Sequence, residues 1–430
     1  MITLQSFNFF TNLRLIFFLL ISLIVLFFVY IDISILYQYQ GIFNYEFNLN
    51  DLILPSFLLV IIYPLLYKVY VRNTFSSDVV FCLFSISFLP FLVLVSTNKS
   101  YSFEFIFLFF LYWFFLLLYE IIIPSIKIES FKRLNSFIPF TRFVVILCLV
   151  FSVIFVWYKF TNFRFQFDII NVYSARAEAR GYNISFPVSY LLVFADNFLP
   201  IFAFYYLVKR NYLIFFFLTF IIFLNFSISG TKQIFFLYLV GFFSTLFISL
   251  LNKFRFKDLF IVSIIFLLLL SILELKIFKT GIAHNFFGYR LIYIPSQLHS
   301  VFYEFFQTND FDYFQQGFLK VFFDSDFSTN YQFLIGDFWI GDSSARANNG
   351  LFSDAYANIG FFGILILPCI LVLILNFMNY PMMTNSIIIK SMSVFYLVFV
   401  YLGMSLSNMI FSAGVLPFIF ILYLIRLKDV

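Results

Sequence analysis

The feature that most constrains this chain is the recurrence of apolar runs close to bilayer length. A helix needs about 20 apolar residues to cross the hydrocarbon core. Twelve segments qualify, near 14–32, 52–71, 79–97, 103–125, 142–158, 187–208, 212–228, 234–251, 258–275, 354–378, 387–404 and 410–426. Composition agrees: 63% of the 430 residues are hydrophobic and 11% are charged, where a soluble domain carries about 25% charged residues. No soluble core could hide 75 phenylalanines, so lipid must solvate much of the surface. The sequence therefore predicts an all-α polytopic integral membrane protein of about twelve transmembrane helices. Residues 1–430 read as a single transmembrane domain. The first run, from Arg14 to Tyr30, is too long for a signal-peptide core and no small-residue cleavage site follows it, so it reads as the first span.

Charge sets the expected orientation. With the N-terminus in the cytoplasm, one side receives Arg14, Lys68, Arg72, Lys127, Lys132, Arg133, Arg142, Lys209, Arg210, Lys253, Arg255, Lys257, Lys390, Arg426 and Lys428. The short loops opposite carry Lys99 and Lys232. The positive-inside rule then puts both termini in the cytoplasm of a bacterial inner membrane. Two longer loops, 159–186 and 276–353, face outward, toward a periplasm if there is one. The larger, between spans nine and ten, is too long for a plain connection and should be partly helical. Within it, Tyr289–Pro295 and Gln297–Phe306 read as short interfacial helices broken at Pro295. The stretch from Asp337 to Gly350 reads as a mobile segment able to close over a ligand.

Several functions find no support. The net charge of +5 is small and not concentrated on one stretch, so no nucleic-acid partner is expected. The cysteines, Cys82, Cys148 and Cys369, all lie in apolar segments and form no disulfide framework. Neither a CxxC nor an HExxH pattern occurs, so no zinc site is indicated, though scattered aspartates could hold a divalent ion.

Chemistry is sought in the outward loops. Arg176 and Arg180 are four residues apart and share a helical face, with Gly181 to end the helix. Paired guanidiniums suit phosphate oxygens; the plainer reading is a solvated amphipathic turn in which Glu178 balances the charge. Arg290, in Phe286-Phe287-Gly288-Tyr289-Arg290, either snorkels to headgroups or holds a specific anion. His299 could act as a base near neutral pH, or be a hydrogen-bonded interfacial residue; His284 is a weaker candidate. Arg346 fits either a lid that contacts a sugar or a phosphate or a plain surface loop. Asp354, Tyr356 and Asn358 sit at the mouth of a span, where polar groups tend to meet ligands or other helices. Asp196, inside span 187–208, needs a partner. Glu104, Glu120 and Lys232, at span edges, can be excused by snorkelling.

The layout of a dozen spans, a medium outward loop and then a larger one resembles the O-antigen polymerase family, which joins the oligosaccharide repeat units of bacterial surface polysaccharides. Locally the resemblance rests on Arg176-Ala177-Glu178-Ala179-Arg180-Gly181, Ser229-Gly230-Thr231-Lys232, Gly288-Tyr289-Arg290 with Pro295 and His299, and Asp354-Ala355-Tyr356-Ala357-Asn358-Ile359-Gly360 with Gly363. It is distantly similar to the O-antigen ligases.

The resemblance implies a membrane glycosyltransferase. A hydroxyl of one lipid-linked repeat attacks the anomeric carbon of a glycan on undecaprenyl diphosphate, releasing the polyprenyl diphosphate. The leaving group needs fixed positive charge, for which Arg290, Arg176, Arg180 and Arg346 are the candidates. His299, Glu304 or Glu178 would receive the hydroxyl proton. Tyr289, Tyr293 and Tyr303 would stack on sugar rings, with Lys232, Asp354 and Tyr356 adding polar contacts. No cofactor or metal is expected. The partners implied are undecaprenyl-diphosphate-linked oligosaccharides, membrane lipids and a chain-length regulator. Two alternatives stay open: a ligase transferring the glycan to lipid A core, and a transporter or flippase for lipid-linked sugars.

Overall fold

The computed structural model describes residues 9–38, 43–126, 137–165, 172–383 and 385–426. Lys127, Lys132, Arg133 and Lys428, which carry part of the charge asymmetry, lie outside the described residues, as does the middle of the 159–186 loop. Every regular element described is helical. In lipid, backbone groups must pair within their own segment, and these long Phe-, Leu- and Ile-rich runs do so as helices.

In chain order the helices are α1 (Phe9–Leu36), α2 (Ile53–Val71), α3 (Phe75–Leu83), α4 (Leu89–Thr97), α5 (Phe103–Ile122), α6 (Ile138–Thr161), α7 (Val172–Arg180), α8 (Phe186–Val208), α9 (Tyr212–Ser229), α10 (Lys232–Leu246), α11 (Ile248–Lys253), α12 (Phe256–Phe278), α13 (Ile294–Thr308), α14 (Tyr331–Ile340), α15 (Phe352–Met383), α16 (Ile387–Gly403), α17 (Leu406–Ile410) and α18 (Val415–Leu424). Two π-helical segments interrupt the pattern, Phe84–Phe88 between α3 and α4 and His284–Tyr293 before α13. Among the described residues nine helical stretches are long and apolar enough to cross a membrane. Three shorter apolar helices, Tyr212–Ile228, Lys232–Leu246 and Ile387–Gly403, occupy the remaining predicted segments. The chain is a multi-pass, all-helical membrane protein.

The chain packs as two compact units. The first comprises residues 1–124, 254–375 and 401–406; the second comprises 125–253, 376–400 and 407–430.

In the first unit, the stretch predicted as an outward loop is built into the helical body. Pro295 sits in the first turn of α13, and the π-helical segment runs directly into that helix instead of breaking at the proline. Ser296 to Tyr303 are all buried, with Phe305 and Phe306 beyond them. An interfacial helix would leave a polar face in water along its length; in α13 polar side chains are exposed only from Glu304 onward. The segment read as a mobile lid is also tied down. Arg346 Nε donates to Gln332 Oε1 at 2.7 Å, and the amides of Ala347 and Gly350 donate to the carbonyls of Gln332 and Leu402.

The first unit also buries charge. The Lys257 ammonium lies 2.6 Å from the carbonyls of Val69 and Arg72, 2.9 Å from Ser77 Oγ and 3.6 Å from an Asp78 carboxylate oxygen. It thus caps the exposed carbonyls at the end of α2. Glu120 is fully buried beside Arg72 and accepts from Ser76 Oγ at 2.8 Å. Neither side chain snorkels to water, as the sequence suggests for Glu120.

Candidate functional site

The second unit brings Arg176 and Glu178 of α7 and Lys232 of α10 to the break between α9 and α10. Gly230 ends α9 in the left-handed region (φ 58°) and Thr231 opens α10. Glycine takes that conformation without a Cβ penalty. Arg176, from α7, donates through Nε to the Gly230 carbonyl at 3.0 Å. Lys232 is the first residue of α10, and Arg180, the last of α7, is exposed.

Arg164, which the sequence reading passed over, joins them. Its backbone carbonyl accepts from Ser227 Oγ at 3.2 Å, one turn before Gly230, and from the Trp157 indole at 2.8 Å. Its Nη1 pairs with Glu178 at 2.7 Å. Its Nε and Nη2 are buried with no hydrogen-bond partner among the described residues. Arg164 and Arg176 are thus both anchored to the last turn of α9, from two different segments. Glu178 pairs with Arg164, where the sequence reading has it balancing Arg176 and Arg180. The Arg164 guanidinium and the Tyr182 hydroxyl, 2.8 Å away, hold the Glu178 carboxyl below its ordinary pKa. No local sequence pattern marks Arg164; the fold brings it here across 63 residues from Ser227.

Beneath this turn lies a buried polar layer. Asp196 on α8 accepts from Asn225 Nδ2 at 2.7 Å, and the Thr231 hydroxyl and the Arg176 charge act on the same carboxylate. Its neighbour Asn197 accepts from Gln233 Nε2 at 2.9 Å and donates to the Ala413 carbonyl at 2.9 Å. The partner that a carboxylate inside a span requires is therefore an amide and a hydroxyl, with a guanidinium near. Cations over a satisfied polar floor, with two Arg164 nitrogens unpartnered among the described residues, suit an oxyanion such as a phosphate.

The first unit holds the remaining candidates, and it disperses them. Arg290 and Glu304 are exposed. The guanidinium of Arg346 lies over the Phe333 ring, 5.9 Å from its centre, as well as on Gln332. Asp354 accepts from the Leu406 amide at 2.7 Å and from Asn358 Nδ2 at 2.9 Å, so it organises a chain turn. Tyr356 packs edge-on against Phe311 and flat against Phe352.

The sequence reading puts tyrosines on sugars; the structure puts these rings in the interior. Tyr293 is fully buried and donates to the Leu26 carbonyl at 2.6 Å. Tyr303 is buried against Tyr356, and Tyr289 lies flat on Tyr37 with centres 3.8 Å apart. His299 is likewise interior. Its Nδ1 lies 2.8 Å from Ser353 Oγ and 3.2 Å from Asn349 Nδ2, and its Nε2 lies 3.4 Å from Ser87 Oγ. Burial lowers its pKa to about 3. Both nitrogens are spoken for, so His299 is a core imidazole tying α13 to the π-helical segment before α4.

No family model, no curated protein and no solved structure matches the chain.

Proposed function

We propose that the chain is a bacterial inner-membrane glycosyltransferase that polymerises lipid-linked oligosaccharide repeat units. The observation that carries this reading is the pair Arg164 and Arg176 on the last turn of α9, with two buried guanidinium nitrogens of Arg164 unpartnered among the described residues. A polyprenyl diphosphate is the anion that a membrane protein of this kind would bring to such donors.

In the proposed reaction, a hydroxyl oxygen of the acceptor repeat forms a bond to the anomeric carbon of the donor glycan. The bond from that carbon to the diphosphate oxygen breaks, and its electron pair stays on the diphosphate. Arg164 and Arg176, with Lys232 at the start of α10 and Arg180 one turn along α7, stabilise the charge that develops there. Glu178 is kept ionised by its two partners and receives the hydroxyl proton.

Transport is the second reading, favoured by one observation. The backbone of α15 leaves helical geometry at Ile359 and Gly360, inside a candidate span, and broken spans mark many transporters. Here, however, the carbonyls of Ala357 and Asn358 already accept from the amides of Asp312 and Tyr313 at 2.9 and 3.0 Å.

The test is purified protein in lipid nanodiscs supplied with an undecaprenyl-diphosphate-linked repeat. A ladder of longer lipid-linked glycans with release of undecaprenyl diphosphate is expected. Product only when lipid A core is added would make it a ligase. No product, with movement of the substrate across sealed vesicles, would make it a transporter.

A further inference from the structure

The two histidines of the chain differ in a telling way. Every nitrogen of His299 has a partner; neither nitrogen of His284 has one among the described residues, although the side chain is fully buried. Two more orphans belong to the same corner of the first unit. Asp32 Oδ2, near the end of α1, and Asn285 Oδ1 are also buried without a partner. Asp32 and Glu274 are the charged groups that act on the His284 ring.

The local geometry explains why the histidine cannot turn away. The Glu274 carboxylate, on α12, accepts from the amides of Ile282 and Ala283 at 2.8 and 2.9 Å, which fixes the start of the π-helical segment. One turn on, Gly288 admits α1 closely: a Cβ there would stand 2.8 Å from Val29 Cγ1 and 3.7 Å from His284 Cε1. His284 is thus wedged between α12 and the turn of α1 that carries Asp32. Burial holds its pKa below the ordinary value, against the pull of Asp32 and Glu274, so the ring is neutral at pH 7, with one donor nitrogen and one acceptor.

Leaving such groups unpaired is costly, and buried orphans call for a specific explanation. One hydroxyl group satisfies two of them together. It accepts from the imidazole N–H and donates to the Asp32 carboxylate, while the Asn285 carbonyl takes a second donor. We propose that Asp32, His284 and Asn285 form a binding site for a hydroxyl group, supplied by water or by a saccharide. Asp32 and Asn285 are both partly exposed as residues, which gives a ligand an approach to a site floored by His284. This site lies in the first unit and does not rest on the phosphate reading of the second.

Because the chain has two histidines, its imidazole 15N spectrum reports two residues. The full chain, labelled with 15N-histidine, is placed in phosphatidylcholine nanodiscs, which bring no sugar of their own. The expected result is a cross-peak from the His284 N–H to water. If glucose supplies the hydroxyl instead, added glucose replaces that cross-peak with one to its own protons; if it leaves the water peak unchanged, the site is a water site. Asp32→Asn should shift the His284 signals and leave those of His299, which report the fold of the unit, in place. Absence of any cross-peak to water or glucose from wild-type protein overturns the proposal. So does a folded Asp32→Asn variant with unmoved His284 signals.

Discussion

Arg176 places its Nε 3.0 Å from the carbonyl of Gly230, so a cation from α7 rests on the turn where α9 stops and α10 begins. A left-handed residue ends α9, and the carbonyl it leaves outside the helix becomes a fixed perch for a guanidinium. Arg164 reaches the same turn from the end of the preceding span.

Replacing Arg164 with Gln should lower glycan polymerisation by ~10²-fold or more, the usual scale for losing a fixed donor to a developing oxyanion. The same change at Arg176 should do likewise. Thermal unfolding of the Arg164 variant should stay close to wild type, because its ion pair with Glu178 is partly exposed and adds little stability. Product ladders from nanodisc assays, with melting curves beside them, check this. Normal ladders from Arg164→Gln would remove it from the site.

His299 should make the fold acid-sensitive. Its pKa is about 3 when folded, against an ordinary value of 6.5. Between those values the unfolded chain holds the proton and the folded chain does not. Stability is therefore complete above about pH 6.5 and falls as pH drops toward 3, with a limiting slope of about 1.4 kcal/mol per pH unit. His299→Asn should be less stable at neutral pH yet show a flatter acid slope. Denaturant unfolding at several pH values measures both; an unchanged slope would remove His299 as the source.

Removing the charge of Lys257 should be severe. Lys257→Met strips the ammonium from the end of α2 and leaves the Asp78 carboxylate buried at 4% side-chain exposure. Breaking a buried pair from one side costs about 3–5 kcal/mol. The double variant Lys257→Met with Asp78→Asn should recover part of that loss. Folded yield and melting temperature in detergent would show it, and equal losses in the single and double variants would contradict the pairing.

Two glycines should respond in opposite ways to alanine. At Gly350 a Cβ would run into the carbonyl oxygens of Tyr401 and Met404, which are backbone atoms and cannot swing aside. At Gly403 nothing lies within 4 Å. Gly350→Ala should abolish or sharply reduce folded protein, while Gly403→Ala is expected to be neutral or slightly stabilising, since alanine favours a helix by about 1 kcal/mol over glycine. Folded yields of the two variants side by side decide this.

Fold class was legible because it depends on quantities that a linear reading captures. Runs of Phe, Leu and Ile near bilayer length leave a backbone no option but helices, and Gly230 marks the turn where it occurs, whereas Pro295, read as a break, lies in the first turn of α13. The polar residues were less legible, because nothing in a one-dimensional pattern says which of them finds a partner. His299 and His284 look alike as letters. The first is met by Ser87, Asn349 and Ser353, from segments as far as 212 residues away, and the second by none among the described residues. The arginine-rich run in the loop pointed to Arg176, while Arg164 carried no signal until the turn after Ser227 was packed beside it.

By itself, then, the order of residues determined that this chain is helical, multi-pass and solvated by lipid, because hydrophobicity summed over about 20 residues is a local property. Only the tertiary structure decided which charges are buried, which donors are left over and which loops are part of the body. Those outcomes depend on pairings between distant segments, and a pairing exists only once the segments have been brought together.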